Sequence, residues 1–415
     1  MRSPKLSSDR EKPWYRYYAG YSRAFVEDAL ASLALAEEST VLDPWNGSGT
    51  TTAVAQELGH RAIGCDANPS LVLVARARLL GKEVAESLDA LAEDILDHQK
   101  SVTPDGLISE PLGTWLDDDS ARWARSLERA VQHVLIDHSA YQPLTSEAAL
   151  DRVSSLAAFF YVALFDAVRS VVRPFVGSNP TWVKSPALDD RLTVNGNDLA
   201  LAFREAVTSL GQRLRDGGST ELASITQALS GKLPLEDASV DAVVTSPPYC
   251  TRIDYIAATR PELAVLGYGH SDLRALRSAM VGTPTIAAET PSVSPEWGHA
   301  ATSVISEIAG HTSKASGGYY RKYFVQYFDS LWESLGELRR VTRPGGPLVV
   351  VVQDSYYKDV HVDLPVIVSE MCENLGWTAI SRTDFDIMRT KAAIHPSSRT
   401  WRTRFSAVEA ALTLT

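Results

Sequence analysis

Cysteine is scarce, with three in 415 residues (Cys65, Cys250 and Cys372), widely spaced and odd in number. That spacing supplies neither a CxxC metal pair nor a disulfide framework, so a small stapled fold is excluded, no metal site is expected, and the cysteine usage suits a reducing compartment. Long hydrophobic runs are missing too. The longest apolar stretch, 157–176, carries Asp166, Arg169 and Arg173, three charges that a membrane span would have to bury, so it reads as a buried helix. The basic start MRSPKLSSDREKPWYRYY is followed by no apolar segment or small-residue cleavage site and is not a secretory signal. The expected location is the cytoplasm, with no membrane partner.

Positive charge is in short supply: 40 Lys and Arg face 51 Asp and Glu, a net charge of −11. Spread evenly, that balance would argue against a nucleic-acid partner. The deficit is local, because residues 83–119 hold eleven acids against Lys100 alone. Two stretches lean basic, the N-terminus (Arg2, Lys5, Arg10, Lys12, Arg16, Arg23) and residues 382–404 (Arg382, Arg389, Lys391, Arg399, Arg402, Arg404). Such clusters suit phosphates. The remaining composition, 45% hydrophobic with 25 Gly and 21 Pro, excludes disordered and fibrous chains. The length suits two domains or one large α/β domain with an insertion.

Residues 40–42 form a short apolar run ending in DPWNGSGTT, and TTAVAQELGH continues with helical periodicity, giving strand, Gly-rich loop, helix. RAIGC reads as a second strand ending at Asp66, and PSLVLVARARLLG as the next helix, with Pro69 in its first turn. This β-α-β-α order is that of a parallel, doubly wound sheet. It stops near residue 83 and resumes near 222; the stretch between predicts helices at 120–136, 146–175 and 197–215, an all-helical insertion. The expected division is 1–82 and 221–415 as the two parts of a core, with 83–220 inserted as a possible target-recognition region. In the second part ASITQAL and the buried-type strand at 240–245, running into SPPY, precede a helix at about 253–266. A Ser-, Thr-, Pro- and Gly-rich stretch, 270–318, reads as a long loop with a helical piece. A helix at 319–341 ended by RPGG, the strand PLVVVVQ, and last strands at 378–382 and 407–414 complete the reading.

A Gly-rich turn between a strand and a helix presents backbone N–H groups to a ligand. No Lys follows Gly49, which excludes a Walker loop, and Asp43 at the strand end would repel phosphate, so a ligand with a cationic amine fits better. Asp66 stands where an acid accepts hydrogen bonds from ribose hydroxyls. Amine plus ribose describes S-adenosylmethionine. Ser246-Pro247-Pro248-Tyr249 ends a buried strand at the carboxyl edge, where open α/β sheets bind ligands. An exocyclic base amine is a poor nucleophile because its lone pair is delocalised into the ring. Accepting hydrogen bonds from its protons through the Ser246 side chain and the Pro247 carbonyl builds electron density on nitrogen as a methyl group transfers. Tyr249 offers a face to a base rotated out of a duplex.

Together these motifs resemble the bacterial DNA amino-methyltransferases, which make N4-methylcytosine or N6-methyladenine. WYRYYAGYSRAFVEDAL resembles their additional cofactor motif, DPWNGSGTT their cofactor loop, GCDANP their ribose-binding strand end, TSPPY their catalytic tetrapeptide, and RVTRPGGPLVVVVQDS the helix-to-strand passage after the catalytic motif. The resemblance covers 14–80 and about 222–414. It implies a Rossmann-like α/β sheet, seven-stranded and mostly parallel. It implies S-adenosylmethionine held by Tyr18, Ala19, Asp43, Pro44, Trp45, Asn46, Gly47, Ser48, Gly49, Thr50, Thr51, Asp66, Ala67 and Asn68, and catalysis by Ser246, Pro247, Pro248 and Tyr249. In this family Ser in the first place goes mainly with cytosine N4, and Asp or Asn mainly with adenine N6. The expectation is therefore site-specific cytosine-N4 methylation of double-stranded DNA with base flipping. Adenine N6 is the alternative, and an RNA or protein methyltransferase or a non-catalytic DNA regulator are further ones.

One departure from the family is that ALSGK (228–232) lacks the acidic residue usually found after the third strand. Cys250 is separated from the prolines by Tyr249, unlike the thiolate nucleophile of cytosine-C5 enzymes, and reads as a packing residue. DNA contact is expected from Arg252, Lys184, Arg389, Lys391, Arg399, Arg402 and Arg404, the last five as phosphate contacts that position without specifying; for Arg252 and Asp254, just beyond the tetrapeptide, substrate contact and a local ion pair are both open readings. Sequence reading is expected either from the insertion around Trp182, Lys184 and Arg191 or from 270–318. The implied partners are double-stranded DNA and a cognate restriction endonuclease or defence-system proteins, at the bacterial nucleoid.

Overall fold

The computed structural model describes residues 1–4, 14–15, 20–102, 110–177, 182–215, 222–251, 253–387 and 407–415. Its centre is a seven-stranded sheet in the order β3-β2-β1-β4-β5-β9-β8. Strands β1 (Thr40–Asp43), β2 (Arg61–Asp66), β3 (Ala223–Gln227), β4 (Ala242–Thr245) and β5 (Leu348–Gln353) are parallel. Strand β9 (Ala407–Leu414) runs antiparallel between β5 and β8 (Ala379–Ile387). A separate ribbon pairs β6 (Ser355–Tyr357) with β7 (Val360–Val362). The fold is the Rossmann-like α/β arrangement that the strand–helix order implies. Strand β4 and the first five residues of β5 are buried throughout, as apolar runs in a sheet covered on both faces must be.

The chain leaves β1 outward through β2 and β3 and then returns to β4 on the other side of β1. The reversal is a topological switch point, and the carboxyl ends of β1 and β4, Asp43 and Thr245, open into the crevice there. One face of the sheet packs α1 (Arg23–Ser32) and α2 (Thr50–Glu57). Another core forms between the sheet and α12 (His299–Gly310), α13 (Arg321–Val341) and α14 (Leu364–Asn374).

The insertion consists of α4 (Leu88–Gln99), α5 (Asp118–Leu135), α6 (Glu147–Asp151), α7 (Ser155–Val171) and α8 (Gly196–Arg215), plus short 3-10 turns. It shares one apolar core with α3 (Pro69–Ala77) and α10 (Arg260–Val265). Helix α4 lies inside the acidic stretch: Leu88, Ala92, Ile95, Leu96 and Gln99 are buried at helical spacing beneath a charged outer face. The helix expected at 146–175 is interrupted, because Ser146 and Ser154 each cap a new start. Helix α7 is apolar nearly all round and is buried as expected. No helix of the described residues is long and apolar enough to cross a membrane.

Two expectations after β4 are corrected. The single helix at 253–266 is two, α9 (Tyr255–Ala258) and α10, divided at Thr259 just before Pro261. The stretch 270–318 holds two helices, α11 (His270–Ala279) and α12, where one helical piece was expected in a long loop. In α12, Ala301, Val304, Ile305 and Ile308 are buried at three-and-four spacing, and burial of that stripe outweighs the helix breakers that flank it.

Candidate active site

Asp43 is the node of the switch point. The side chain is 2% exposed. One oxygen accepts from the Thr245 hydroxyl at 2.6 Å and the Trp45 N–H at 3.1 Å; the other accepts from the Thr51 hydroxyl at 2.6 Å and the Tyr21 hydroxyl at 3.0 Å. A carboxylate offers about four lone-pair sites, and here all are taken. Asp43 therefore clamps β1, β4, α2 and the segment ahead of α1 together. Burial pushes its carboxyl above the usual range, opposed by the hydrogen bonds it accepts from Thr245, Thr51, Trp45 and Tyr21. Burial, with the charge of Asp43, also pushes the Tyr21 phenol well up.

The loop after Asp43 turns through two left-handed glycines, Gly47 at φ 53° and Gly49 at φ 78°. A Cβ on Gly49 would sit 3.0 Å from that of Ala75, so only glycine lets α2 start this close to α3. No side chain caps α2, so the first-turn N–H groups after the turn that holds Pro44, Ser48 and Thr50 are not satisfied by a capping side chain. The buried Asn46 side chain accepts from Thr52 through its oxygen, while its amide nitrogen has no partner among the described residues. Asp66 accepts one N–H on each oxygen, from Gly47 and from Asn68, both at 2.8 Å. Burial lifts its carboxyl to about 6. Asn68 caps α3 and donates from its side chain to the Thr259 hydroxyl at 2.8 Å, and the Ala67 carbonyl accepts from Gln227.

These residues fit S-adenosylmethionine. The uncapped start of α2 and the backbone bared by Gly47 and Gly49 suit an amino-acid carboxylate. Asp66 retains a lone pair on each oxygen for ribose hydroxyls. Along 228–232, Ala228 donates its N–H to the Asp66 carbonyl and Leu229 is exposed; no carboxylate stands there. Tyr18 and Ala19 lie outside the described residues.

At the end of β4, each polar group of the tetrapeptide has a distinct state. The Ser246 hydroxyl donates to the Val351 carbonyl of β5 at 3.0 Å. Its proton is thereby turned toward the sheet, and the oxygen is left as an acceptor. The Pro248 carbonyl is taken by the Tyr327 hydroxyl at 2.7 Å. The Pro247 carbonyl accepts no hydrogen bond from the described residues. The half-buried Tyr249 donates its hydroxyl to Glu409 of β9 at 2.6 Å; burial, and then the Glu409 charge, holds that phenol well above its ordinary value. Cys250 is buried in the core under α13.

The remaining expected contacts are dispersed. Asp254 caps α9 and pairs with Arg277 at 2.7 Å. Lys184 and Trp182 are exposed on the insertion, and the Lys184 backbone is held by Phe175 and Trp115. Arg191 pairs with Asp118. Arg252, Arg389, Lys391, Arg399, Arg402 and Arg404 lie outside the described residues. Tyr21, Thr245, Tyr327 and Glu409 join the site without having been singled out. Tyr21 and Thr245 stood inside motifs that carry the resemblance, whereas Tyr327 and Glu409 had no local signal.

The model of the DNA methylase family of N6 and N4 enzymes matches residues 5–77. The type II methyltransferase M.BsoBI of Geobacillus stearothermophilus is 26% identical over 291 residues, 65% of this chain and 55% of that protein. The type II methyltransferase M.AvaI of Nostoc is 23% identical over 414 residues, 90% of this chain and 80% of that one. The chain resembles the DNA amino-methyltransferases. It spans about half the length of the Geobacillus relative. A solved Haloferax volcanii complex of the Trm112 methyltransferase activator matches at 11% identity and a TM-score of 0.30, over 93% of this chain and 86% of that one, a likeness too low to bear argument.

Proposed function

We propose that the chain is an S-adenosylmethionine-dependent DNA methyltransferase acting on the N4 amine of cytosine in double-stranded DNA. The observation that carries the reading is the Pro247 carbonyl, which accepts no hydrogen bond from the described residues, with the Ser246 hydroxyl beside it turned onto Val351, at the same carboxyl edge of the sheet as the Asp66 cradle. The cofactor supplies an electrophilic methyl group. Ser246 and Pro247 accept hydrogen bonds from the two N–H groups of the exocyclic amine, which draws lone-pair density back onto nitrogen and aligns it for attack; the one proton that the methylated nitrogen sheds passes to solvent. Tyr327, by occupying the Pro248 carbonyl, fixes the peptide so that the Pro247 carbonyl is the one presented. Tyr249 stacks on the extruded base. Arg252 and Lys184 contact DNA, and the 389–404 cluster contacts phosphate. Because the relatives are type II methyltransferases, a cognate restriction endonuclease is the proposed partner, and the bacterial cytoplasm, at the nucleoid, the proposed location.

The test is to incubate purified protein with S-adenosylmethionine and unmethylated bacterial DNA, digest to nucleosides and identify the product by mass spectrometry. N4-methyldeoxycytidine is expected. N6-methyldeoxyadenosine would keep the acceptor mechanism and overturn the base assignment, and no methylated nucleoside would overturn the DNA reading. Ser246→Ala is expected to abolish transfer while leaving cofactor affinity unchanged.

A further inference from the structure

Strand β9 reads AVEAALTL, and its single carboxylate, Glu409, is 8% exposed. Burying a carboxylate among apolar neighbours is costly, and an apolar side chain there would make the more stable strand. Glu409 sits opposite Gln353 of β5 on one side and Phe385 of β8 on the other. Two residues before Gln353, the Val351 carbonyl receives the Ser246 hydroxyl. One strand pair thus anchors both ends of the tetrapeptide, with Ser246 on a backbone carbonyl of β5 and Tyr249 on a side chain of β9.

We infer that Glu409 is a positioning residue for the reaction: by accepting the Tyr249 hydroxyl at 2.6 Å, it sets the plane of the ring on which the target base stacks. The inference rests on the methyltransferase reading. Tyr249 lies in a coil beyond the strand, where a tyrosine ring has two side-chain torsions to settle. The prolines stiffen the backbone but not the ring. A hydrogen bond from its far end to a carboxylate on a rigid central strand removes that freedom before the base arrives, which is the value of preorganisation in a stacking platform. The bond is charge-assisted and therefore strong. Glu409 does not touch the base; its effect passes wholly through Tyr249.

The test compares the full-length enzyme with Tyr249→Phe, Glu409→Gln, Glu409→Leu and the Tyr249→Phe/Glu409→Leu double variant, using methyl incorporation from S-adenosylmethionine into unmethylated DNA. Tyr249→Phe and Glu409→Leu are each expected to lower kcat about tenfold, the size of one lost charge-assisted hydrogen bond. The KM for S-adenosylmethionine should not move. The double variant should be no slower than either single one, because both remove the same bond. Glu409→Gln should restore most of the rate, since its amide oxygen still accepts the hydroxyl. Tm is recorded for each variant, and if Glu409→Leu fails to fold, Tyr249→Phe and Glu409→Gln carry the test.

Full activity of Tyr249→Phe, additive losses in the double variant, or Glu409→Gln as slow as Glu409→Leu would each overturn the positioning role. A wild-type protein that methylates no DNA would instead remove the reading itself and the inference with it.

Discussion

Asp66 is the residue whose chemistry can be read with least intervening structure. Its carboxyl is lifted to about 6 by burial, despite two backbone donors. Because the folded value lies above the ordinary one, the ionised group lowers stability at neutral pH, and that cost is relieved as pH falls through about 6. Ligand binding should run the opposite way, since the ionised form is the acceptor that ribose hydroxyls need. Affinity for S-adenosylmethionine, measured by calorimetry between pH 8 and 5, is expected to fall with a midpoint near 6. Asp66→Asn should bind about tenfold more weakly and show a flat profile. A flat profile in the wild-type protein would remove Asp66 from the cofactor site. Asp66 and Ser246 were legible because strand, turn and side chain are contiguous in the chain. Glu409 was not, because it reaches Tyr249 across 160 residues of sequence and only the pairing of β9 with β5 brings it there. Asp43 was half legible: its position at the strand end was right, but the Tyr21, Thr51 and Thr245 donors that fill its oxygens come from three different elements.

Among the elements, the insertion departs furthest from what its composition suggests. It braces the two short helices that follow the SPPY tetrapeptide. Arg125 of α5 is 2% exposed, donates to the Ala264 and Val265 carbonyls at the end of α10, and pairs with Glu110 and Glu128. Arg169 of α7 pairs with Glu262 of α10 and donates to the Ala258 carbonyl that ends α9. Cationic groups on the terminal carbonyls of both short helices after the tetrapeptide hold that chain against the insertion. Arg76 of α3 reaches the other way, to the Leu150 and Val153 carbonyls. Arg125→Ala would strand two carboxylates in the core and is expected to cost about 3–5 kcal/mol, read by urea unfolding. A loss below about 1 kcal/mol would show that the insertion is not a brace. The sheet, its order of motifs and the long helices were legible from periodicity. The breaks at Ser154 and Thr259 and the presence of α4, α11 and α12 were obscured because caps, prolines and acids dominate those windows, while the buried stripes of α4 and α12 are short and α11 buries no residue.

At the scale of the whole molecule the proposed function raises the question of how a chain of net charge −11 would approach a polyanion. Several of the acids at 83–119 are spent internally: Glu110 on Arg125, Glu93 on Arg204, Asp118 on Arg191 and Asp97 on Lys100. Pairing within the insertion lowers its outward field, and exposed like charge at a distance is screened within about 8 Å at physiological salt. Attraction to DNA must then come from basic residues elsewhere, and the sequence concentrates them at Arg389, Lys391, Arg399, Arg402 and Arg404. If each of the last three neutralises one phosphate, Arg399, Arg402 and Arg404 changed together to Glu should reduce the slope of log K against log salt by about 3. The loss should be the same for every DNA sequence, because phosphate contacts carry no base information. Fluorescence anisotropy with two unrelated duplexes, each titrated from low to physiological salt, reads both quantities. An unchanged slope would place phosphate contact elsewhere on the molecule, and a loss confined to one duplex would turn the cluster from an electrostatic anchor into a reader of bases.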